Sequence, residues 1–516
     1  MASQPERLAV AVVGGGYSGI SSFWALQNSG HDVHLFEAST SLGGRIQSRS
    51  FEGSGSLLDI DAPSSFNAAT SPNFVSLLRC LGVSTSPDAL GFCASAGAST
   101  FEWDLSALKS VSRHPRILCN WETYRILFDI VRFRHLAADV LADRSCSDKS
   151  HGGQPLPTAQ DYLAREGFSN SFRDRYLVPL LSMLWGLDAG RTLSHFPMRT
   201  LCQLLQRHRL LSGSHRGTKW KRIDYGANQF IQGMLRGLPA AKVHLQTRVS
   251  AARPRGKGRF ILLTSDGAQR PFDHVVFAVD AQECIRILDS AAAPKELDVL
   301  QELRGSGSRH IAVLHSDPGL MPRKHRRRPS FDYILSNDPS ANSSVSRKTC
   351  LSYNMSTRPN TSANRPSVSL TLDPFTPPDP RFVHAIWEYT DWKVDSTTLT
   401  ALRLLPSIQD KRGLSFCAAW SGSGFFEDAV TAGLAIAVDH LGAELPFALE
   451  HHRWDEIELE DLGIGVRRHL VRTLVGLVRA YVLVLEIFWA ILRILLASAT
   501  KMRRNSKERI GRLTTM

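Results

Sequence analysis

Cysteine is scarce and scattered in this chain. Its 516 residues hold eight (Cys80, Cys93, Cys119, Cys146, Cys202, Cys284, Cys350 and Cys417), and none pairs with another in a C-x-x-C spacing. Histidines do not join them at zinc-binding intervals either. These absences argue against a disulfide scaffold and a structural metal, and fit reduced thiols in a reducing compartment. No P-loop, no Ser-His-Asp arrangement and no metal-ligand constellation stands out, so the expected metal is none. Residues 1–7 are polar and the apolar run behind them ends quickly in glycines, so no signal peptide is expected. Net charge is also small in the body. The formal net charge is +13, but residues 466–516 carry eleven Lys/Arg against two Glu, a surplus of +9. The first 465 residues carry only +4. The high pI therefore describes a tail and gives no support for nucleic-acid binding by the body.

Glycine, by contrast, is concentrated where it can do chemistry. Residues 8–13 form an apolar run, followed by Gly14-Gly15-Gly16-Tyr17-Ser18-Gly19. Gly14, Gly16 and Gly19 stand in the G-x-G-x-x-G register of a dinucleotide site. The first glycine makes the turn, the second admits the pyrophosphate, and the third lets helix and sheet pack closely. Residues 18–29 read as the following helix and 31–36 as a second strand. Glu37 ends that strand 23 residues after Gly14, close to the offset of about 20 at which a carboxylate meets a ribose. Strand, turn, helix, strand and acid in this order make a far more specific signal than the glycines alone. Leu42-Gly43-Gly44-Arg45 adds a second glycine turn, with an arginine placed to pair with the same pyrophosphate.

Farther along, residues 90–220 read as mostly helical, notably 121–141 and 194–211 at apolar spacings near 3.6. Strand signals return at 243–250, 260–264 and 273–278. Residues 336–380, rich in Ser, Asn and Pro, read as long loops. The basic run 323–328 reads as a solvated loop more readily than a targeting signal. The body closes with Leu414-Ser415-Phe416, a Gly/Ser turn, and a helix over 429–441.

With these elements in place, the chain resembles the flavin-containing amine oxidoreductase superfamily over most of residues 8–447. The shared features are the two glycine turns with Glu37, and the pattern Thr247-Arg248-Val249 followed by 273–278. The resemblance implies an α/β fold. A Rossmann-like FAD-binding domain (1–90, 220–290 and 400–447) would interleave with a mixed α+β substrate domain (91–219 and 291–399). An acidic linker (448–465) and a basic helix and tail (466–516) would follow. It implies FAD as cofactor, held by Gly14, Gly16, Gly19, Gly43, Gly44 and Arg45. Tyr17, Ser18, Glu37, Ala38 and the Val249 backbone would sit beside it. The helix N-terminus at Glu427 and Asp428 would stabilise charge on the reduced flavin. A narrower resemblance is to the NAD/FAD-binding oxidoreductases associated with cyclopropane fatty-acid synthases. It rests on segments 195–199, 209–211, 219–220, 312–317, 387–390 and 424–428. Those relatives usually carry histidine before the Glu-Asp pair, where this chain has Phe426.

The resemblance implies hydride transfer from an apolar substrate, lipid-, polyketide- or terpenoid-like, to flavin N5, with oxygen or an unnamed acceptor beyond. An amine oxidase and a non-catalytic flavin-binding membrane scaffold are the alternatives. Candidate proton handlers are His195, Tyr225, Glu388 and Tyr389, with Asp224 and His315 behind them. Trp220, Tyr225 and Trp387 are candidates to line a pocket, although each alone is more often structural. The tail bears on substrate access. Residues 474–500 hold fifteen Leu, Ile, Val or Phe, which favour membrane insertion by about 5 to 9 kcal/mol. Arg479, Glu486 and Arg493 oppose it by roughly 3 kcal/mol each. Arg472, Arg479, Glu486 and Arg493 recur every seven residues and form one narrow polar stripe on a helix. That pattern suits a helix lying on a membrane, with a spanning helix and a helix packed on the protein's own body or on a second copy as the alternatives, and a cytosolic body in either membrane mode.

Overall fold

The computed structural model describes residues 7–44, 48–50, 57–59, 65–88, 90–96, 99–104, 121–142, 157–185, 193–208, 210–211, 220–256, 258–304, 309–320, 331–335, 349–355, 368–390, 395–421, 425–451, 473, 476–482 and 484. Five parallel strands organise the first part of the fold: β1 (Ala9–Val13), β2 (Asp32–Phe36), β3 (Val243–His244), β4 (His274–Phe277) and β5 (Leu414–Phe416). Their spatial order is β3-β2-β1-β4-β5, with β1 at the centre. This 3-2-1-4-5 order is that of the first five strands of a Rossmann sheet, and it places the β1 turn where the strand order reverses. A parallel sheet is covered on both faces, which explains the apolar run of β1 and the buried Val275, Val276 and Phe277 of β4. Val10, Val12, Leu35 and Val276 enter one core, while Ala11, Val13, Phe36, Val275 and Phe277 enter the other.

Helix α1 (Tyr17–Leu26) follows β1, and α2 (Pro72–Cys80) and α3 (Phe426–Ala435) pack near it. Small residues permit the α1–α3 contact: a Cβ on Gly433 would lie 2.0 Å from the Ser18 carbonyl oxygen. Between β3 and β4 the chain makes a three-stranded antiparallel meander, Val249–Pro254, Phe260–Thr264 and Gln269–Phe272.

A second, seven-stranded mixed sheet runs in the order Val383–Thr390, Arg309–His315, Ser369–Leu372, Thr349–Asn354, Phe331–Leu335, Gly91–Ala96, Ser99–Asp104. Two of its parts depart from the sequence reading. Gly91–Ala96 and Ser99–Asp104 are strands in a stretch read as mostly helical, and the distant Phe331–Leu335 supplies their parallel neighbour. Thr349–Asn354 and Ser369–Leu372 are strands where loops were expected. Their polar side chains satisfy one another inside the sheet: Thr371 Oγ1 lies 3.0 Å from Ser352 Oγ and 2.8 Å from His315 Nε2. Paired this way, hydroxyls can be buried, so local polarity misleads.

In the tail, residues 476–482 are helical. Among the described residues no helix is long and apolar enough to cross a membrane. Arg45 and the run 323–328 lie outside the described residues.

Candidate active site

The glycine turn at the end of β1 has three different local environments. Gly14 has φ +107°, and a Cβ there would lie 2.5 Å from the Ala278 carbonyl oxygen, so no larger residue fits. A Cβ on Gly19 would lie 1.9 Å from the Gly14 carbonyl oxygen, because α1 packs directly on the turn. A Cβ on Gly16 would meet nothing within 4 Å. Gly16 is also the N-cap of α1, with no side-chain cap, and the first turn holds no acid. An uncapped helix N-terminus facing open space is chemically complementary to a phosphate group.

The other expected residues gather around this turn. Gly43 N–H donates to the Gly15 carbonyl (2.9 Å), and a Cβ on Gly44 would lie 3.1 Å from Gly16 Cα, so the two glycine turns stack. Glu37 Oε2 accepts from Gly15 N–H at 2.6 Å, and Oε1 accepts from Ser39 N–H at 2.7 Å. The Glu37 carbonyl accepts from Thr247 N–H at 2.8 Å, which brings the approach to Val249 alongside. Val249 itself is buried at the start of the meander, and Ala38 is exposed. Tyr17 and Ser18 are buried in the first turn of α1.

The end of the body folds back onto this site. Cys417 N–H donates to the Phe277 carbonyl (2.8 Å), and Trp420 Nε1 donates to the Val279 carbonyl (3.1 Å). These contacts lead into α3. At its start Asp428 accepts from Phe425 N–H at 3.2 Å and faces Arg207 at 3.7 Å. The Glu427 side chain turns elsewhere. Its two carboxylate oxygens accept from Asn73 and Phe74 N–H (3.1 and 2.8 Å) and close the N-terminus of α2. Burial pushes this carboxyl up to about 7, against the pull of those two donors. A groove of about 440 Å³ runs along α3 and includes Arg207, Arg403, Glu427, Asp428 and Asp439.

Aromatic rings crowd the junction of α1 and α3. The Tyr17 ring lies 4.7 Å from Phe230 and 5.3 Å from Phe426, and Phe426 stacks on Phe74 at 5.4 Å. The residue that stands where histidine is usual is therefore a packing ring between α1 and α2. Phe425 touches Trp185 (5.6 Å) and His208 (4.5 Å), and His208 stacks on Trp220 at 6.1 Å.

The structure does not gather the proposed proton handlers. His195 is exposed, and Tyr225 is 72% exposed in a positive-φ turn. Glu388 is exposed on the edge strand of the seven-stranded sheet, and Tyr389 pairs there with His310. The Tyr389 side chain lies outside the described residues. His315 is bonded to Thr371, and Asp224 accepts from the Ser86 hydroxyl. Trp387 is half-buried opposite Ala312. Among the described residues no hydrogen bond or ion pair joins any two of these candidates.

His208 is the residue that sequence reasoning passed over. It stands one position before the 209–211 segment and follows helix Met198–Arg207. It is 5% exposed, and burial with the adjacent Arg207 charge drives its pKa down to about 3. Its Nε2 is buried without a hydrogen-bond partner among the described residues, as is Trp220 Nε1. Such orphaned groups each cost about 1–3 kcal/mol and are uncommon in native interiors.

Comparison with known proteins bears on this site. A family model described as flavin containing amine oxidoreductase matches residues 17–373. No curated protein sequence matches the chain. Among solved structures, putrescine oxidase is 15% identical, with 84% of this chain and 99% of that one covered and a TM-score of 0.56. Cyclohexylamine oxidase from Brevibacterium oxydans is 15% identical, with coverages of 84% and 99% and a TM-score of 0.57. A CLA-producing fatty acid isomerase from P. acnes is 13% identical, with coverages of 85% and 99% and a TM-score of 0.57. At these identities the likeness is one of fold.

Proposed function

The chain belongs to the family of flavin containing amine oxidoreductases, and on that premise we propose that it oxidises an apolar substrate at the junction of α1 and α3. It is an FAD-dependent oxidoreductase. FAD, when bound, takes up the hydride equivalent that leaves the substrate carbon. The open space at Gly16 and the uncapped α1 N-terminus fit the cofactor's pyrophosphate. Glu37 is positioned to accept from ribose hydroxyls, and the backbone near Val249 to meet the adenine. The α3 N-terminus offers backbone N–H groups to negative charge developing on the pyrimidine edge. Tyr17, Trp185, Phe425 and Phe426 exclude water from the same region. We assign the parallel sheet and its meander to a cofactor domain and the seven-stranded sheet to a substrate domain.

The observation that carries the apolar reading is this ring cluster, in which burial drives the pKa of His208 down to about 3. Solved proteins of this fold include oxidases named for amines and an isomerase named for a fatty acid, so fold alone leaves the substrate open. The test is anaerobic. Purified full-length protein should be yellow, and its flavin should bleach with a long-chain alcohol, acid or terpenoid. Bleaching by mono- or polyamines alone would sink the reading.

The tail supports a second element of the proposal, attachment to a membrane surface. Leu477, Val478, Tyr481 and Val484 are 64%, 40%, 65% and 62% exposed, while Arg479 turns inward against Gly167. An outward apolar face on a strongly basic segment is complementary to an anionic bilayer.

A further inference from the structure

His34 and His244 share a hydrogen bond at the β3 edge of the parallel sheet. His34 Nδ1 lies 2.9 Å from His244 Nε2, with the ring planes 5° apart, and both side chains are half-buried. Strand β3 is two residues long and pairs with β2, where His244 lies opposite Phe36. It carries the chain into the region read above as the adenosine half of the cofactor site. The His244 carbonyl accepts from Glu37 N–H at 2.9 Å. Beyond it Gln246 N–H donates to the Ser39 carbonyl (3.0 Å) and Thr247 N–H to the Glu37 carbonyl (2.8 Å). Glu37 in turn holds the Gly15 amide. The imidazole pair is a side-chain clasp between β2 and β3, next to the residue that shapes the glycine turn.

Cations stand at both outer ends of the pair. Lys242 Nζ is 3.1 Å from His34 Nε2, and Arg270 Nη1, from the last strand of the meander, is 3.3 Å from His244 Nδ1. An N···N hydrogen bond holds one proton between the rings. A neutral pair therefore carries its second proton on one of the two outer nitrogens, whichever tautomers are present. A further proton occupies the other outer nitrogen. Both outer nitrogens are then N–H groups, one against Lys242 and one against Arg270. The nearby carboxylates are already engaged by these cations. Asp32, with Arg7 beside it, bonds to Lys242 and lies 3.4 Å from His34 Nε2, and Asp266 bonds to Arg270 at 3.2 Å. Burial first, then Lys242, hold the His34 pKa below its ordinary 6.5, and burial, then Arg270, do the same for His244. We propose that His34 and His244 are positioning residues for the adenosine half of FAD, and that protonating their pair opens the β2–β3 edge and weakens FAD binding. The inference rests on the placement of the ribose at Glu37 and of the adenine near Val249 given above. The neutral pair holds the edge above about pH 6.5, and the hold is lost as pH falls below that value. Glu427 acts in the opposite sense, since its contribution is lost as pH rises.

The test titrates the full-length protein with FAD at a series of pH values and reads the dissociation constant from flavin fluorescence. Between about pH 7.5 and about pH 5 the affinity should fall at least about tenfold, the ratio set by one unit of pKa difference between the free and FAD-bound pair. In His34→Asn combined with His244→Gln, two amides can keep a neutral donor–acceptor contact and cannot titrate. FAD affinity in that variant should change by less than about threefold over the same range. A second readout needs no variant. By reciprocity FAD must lower the pKa values of the pair, so their imidazole resonances should titrate at lower pH in the FAD-loaded protein than in the apoprotein. A flat profile in the parent protein overturns the proposal, as does an equal fall in the amide variant, or imidazole titrations that FAD does not shift. Each of these leaves the ribose at Glu37. Glu37→Ala tests that placement separately: if neither it nor the amide variant alters FAD affinity at any pH, the adenosine lies elsewhere and both readings fall.

Discussion

Glu37 reaches back across the sheet to hold the Gly15 amide at 2.6 Å, so the acid at the end of β2 and the turn at the end of β1 form one unit. The carboxylate therefore shapes the turn, and in the proposed function it also meets the ribose. Glu37→Ala removes both. We expect the affinity for FAD to fall by about 10- to 100-fold, the scale of a charge-assisted hydrogen bond. Fluorescence titration of the apoprotein with FAD checks this, and unchanged affinity would remove Glu37 from the site.

Gly16 and Gly19 make opposite predictions although they are three residues apart. The Gly19→Ala methyl would overlap the Gly14 carbonyl at 1.9 Å, forcing α1 away from the turn. Destabilisation of about 1–3 kcal/mol or more is expected, in the apoprotein as in the holoprotein. The Gly16→Ala methyl enters open space at an ordinary φ of −71°, so the apoprotein should keep its stability within about 0.5 kcal/mol. FAD affinity should nevertheless collapse, because the methyl occupies the approach of the pyrophosphate. Parallel melting curves and FAD titrations separate the two effects. A Gly16→Ala protein that binds FAD normally would contradict the placement of the phosphates.

Glu427 makes the fold sensitive to pH. Its carboxyl is pushed up from 4.5 to about 7 in the folded protein, so between those values the native state binds the proton that the unfolded chain has released. Stability must then fall as pH rises through this window. The contribution is fully present below about pH 4.5 and lost above about pH 7, on the order of 3 kcal/mol in all. Glu427→Gln keeps an acceptor for one of the Asn73 and Phe74 amides and removes the titration. Its melting temperature should vary less between pH 5 and 8 than that of the parent protein. An unchanged pH profile would show that Glu427 titrates normally.

The glycine turns and the strands around them were legible in the sequence for a physical reason. Gly14, Gly19 and Glu37 act through backbone turns and close approaches within a few dozen residues, and such constraints fix residue type locally. The seven-stranded sheet was not legible, because Ser352, Thr371 and His315 look like loop residues until they bond to one another across strands. His208 was missed for a related reason. Nothing in its neighbours marks it; only the stack on Trp220 and the contacts to Thr70 and Asn67, made from distant parts of the chain, bury it beside Phe425. Conversely, His195, Tyr225 and Glu388 have suitable chemistry, but the fold leaves them at the surface.

Arg479 and Leu477 point in opposite senses from an ordinary surface helix, and this inversion gives the last prediction. On a soluble helix the arginine faces water and the leucine faces the protein. Here Arg479 lies against Gly167, and burial first, then the Arg479 charge, lower the pKa of Arg132, while Leu477, Tyr481 and Val484 face outward. A bilayer surface would receive the apolar side chains, and the +9 surplus of residues 466–516 would draw the tail to anionic headgroups. Full-length protein should therefore sediment with vesicles containing phosphatidylserine, and less so as salt is raised. Deleting 466–516 should abolish sedimentation and retain bound FAD. Leu477→Asp combined with Tyr481→Asp should weaken it strongly with the basic residues intact, since the apolar face supplies insertion and the charges supply only approach. A truncated protein that still sediments would place the membrane contact elsewhere on the body.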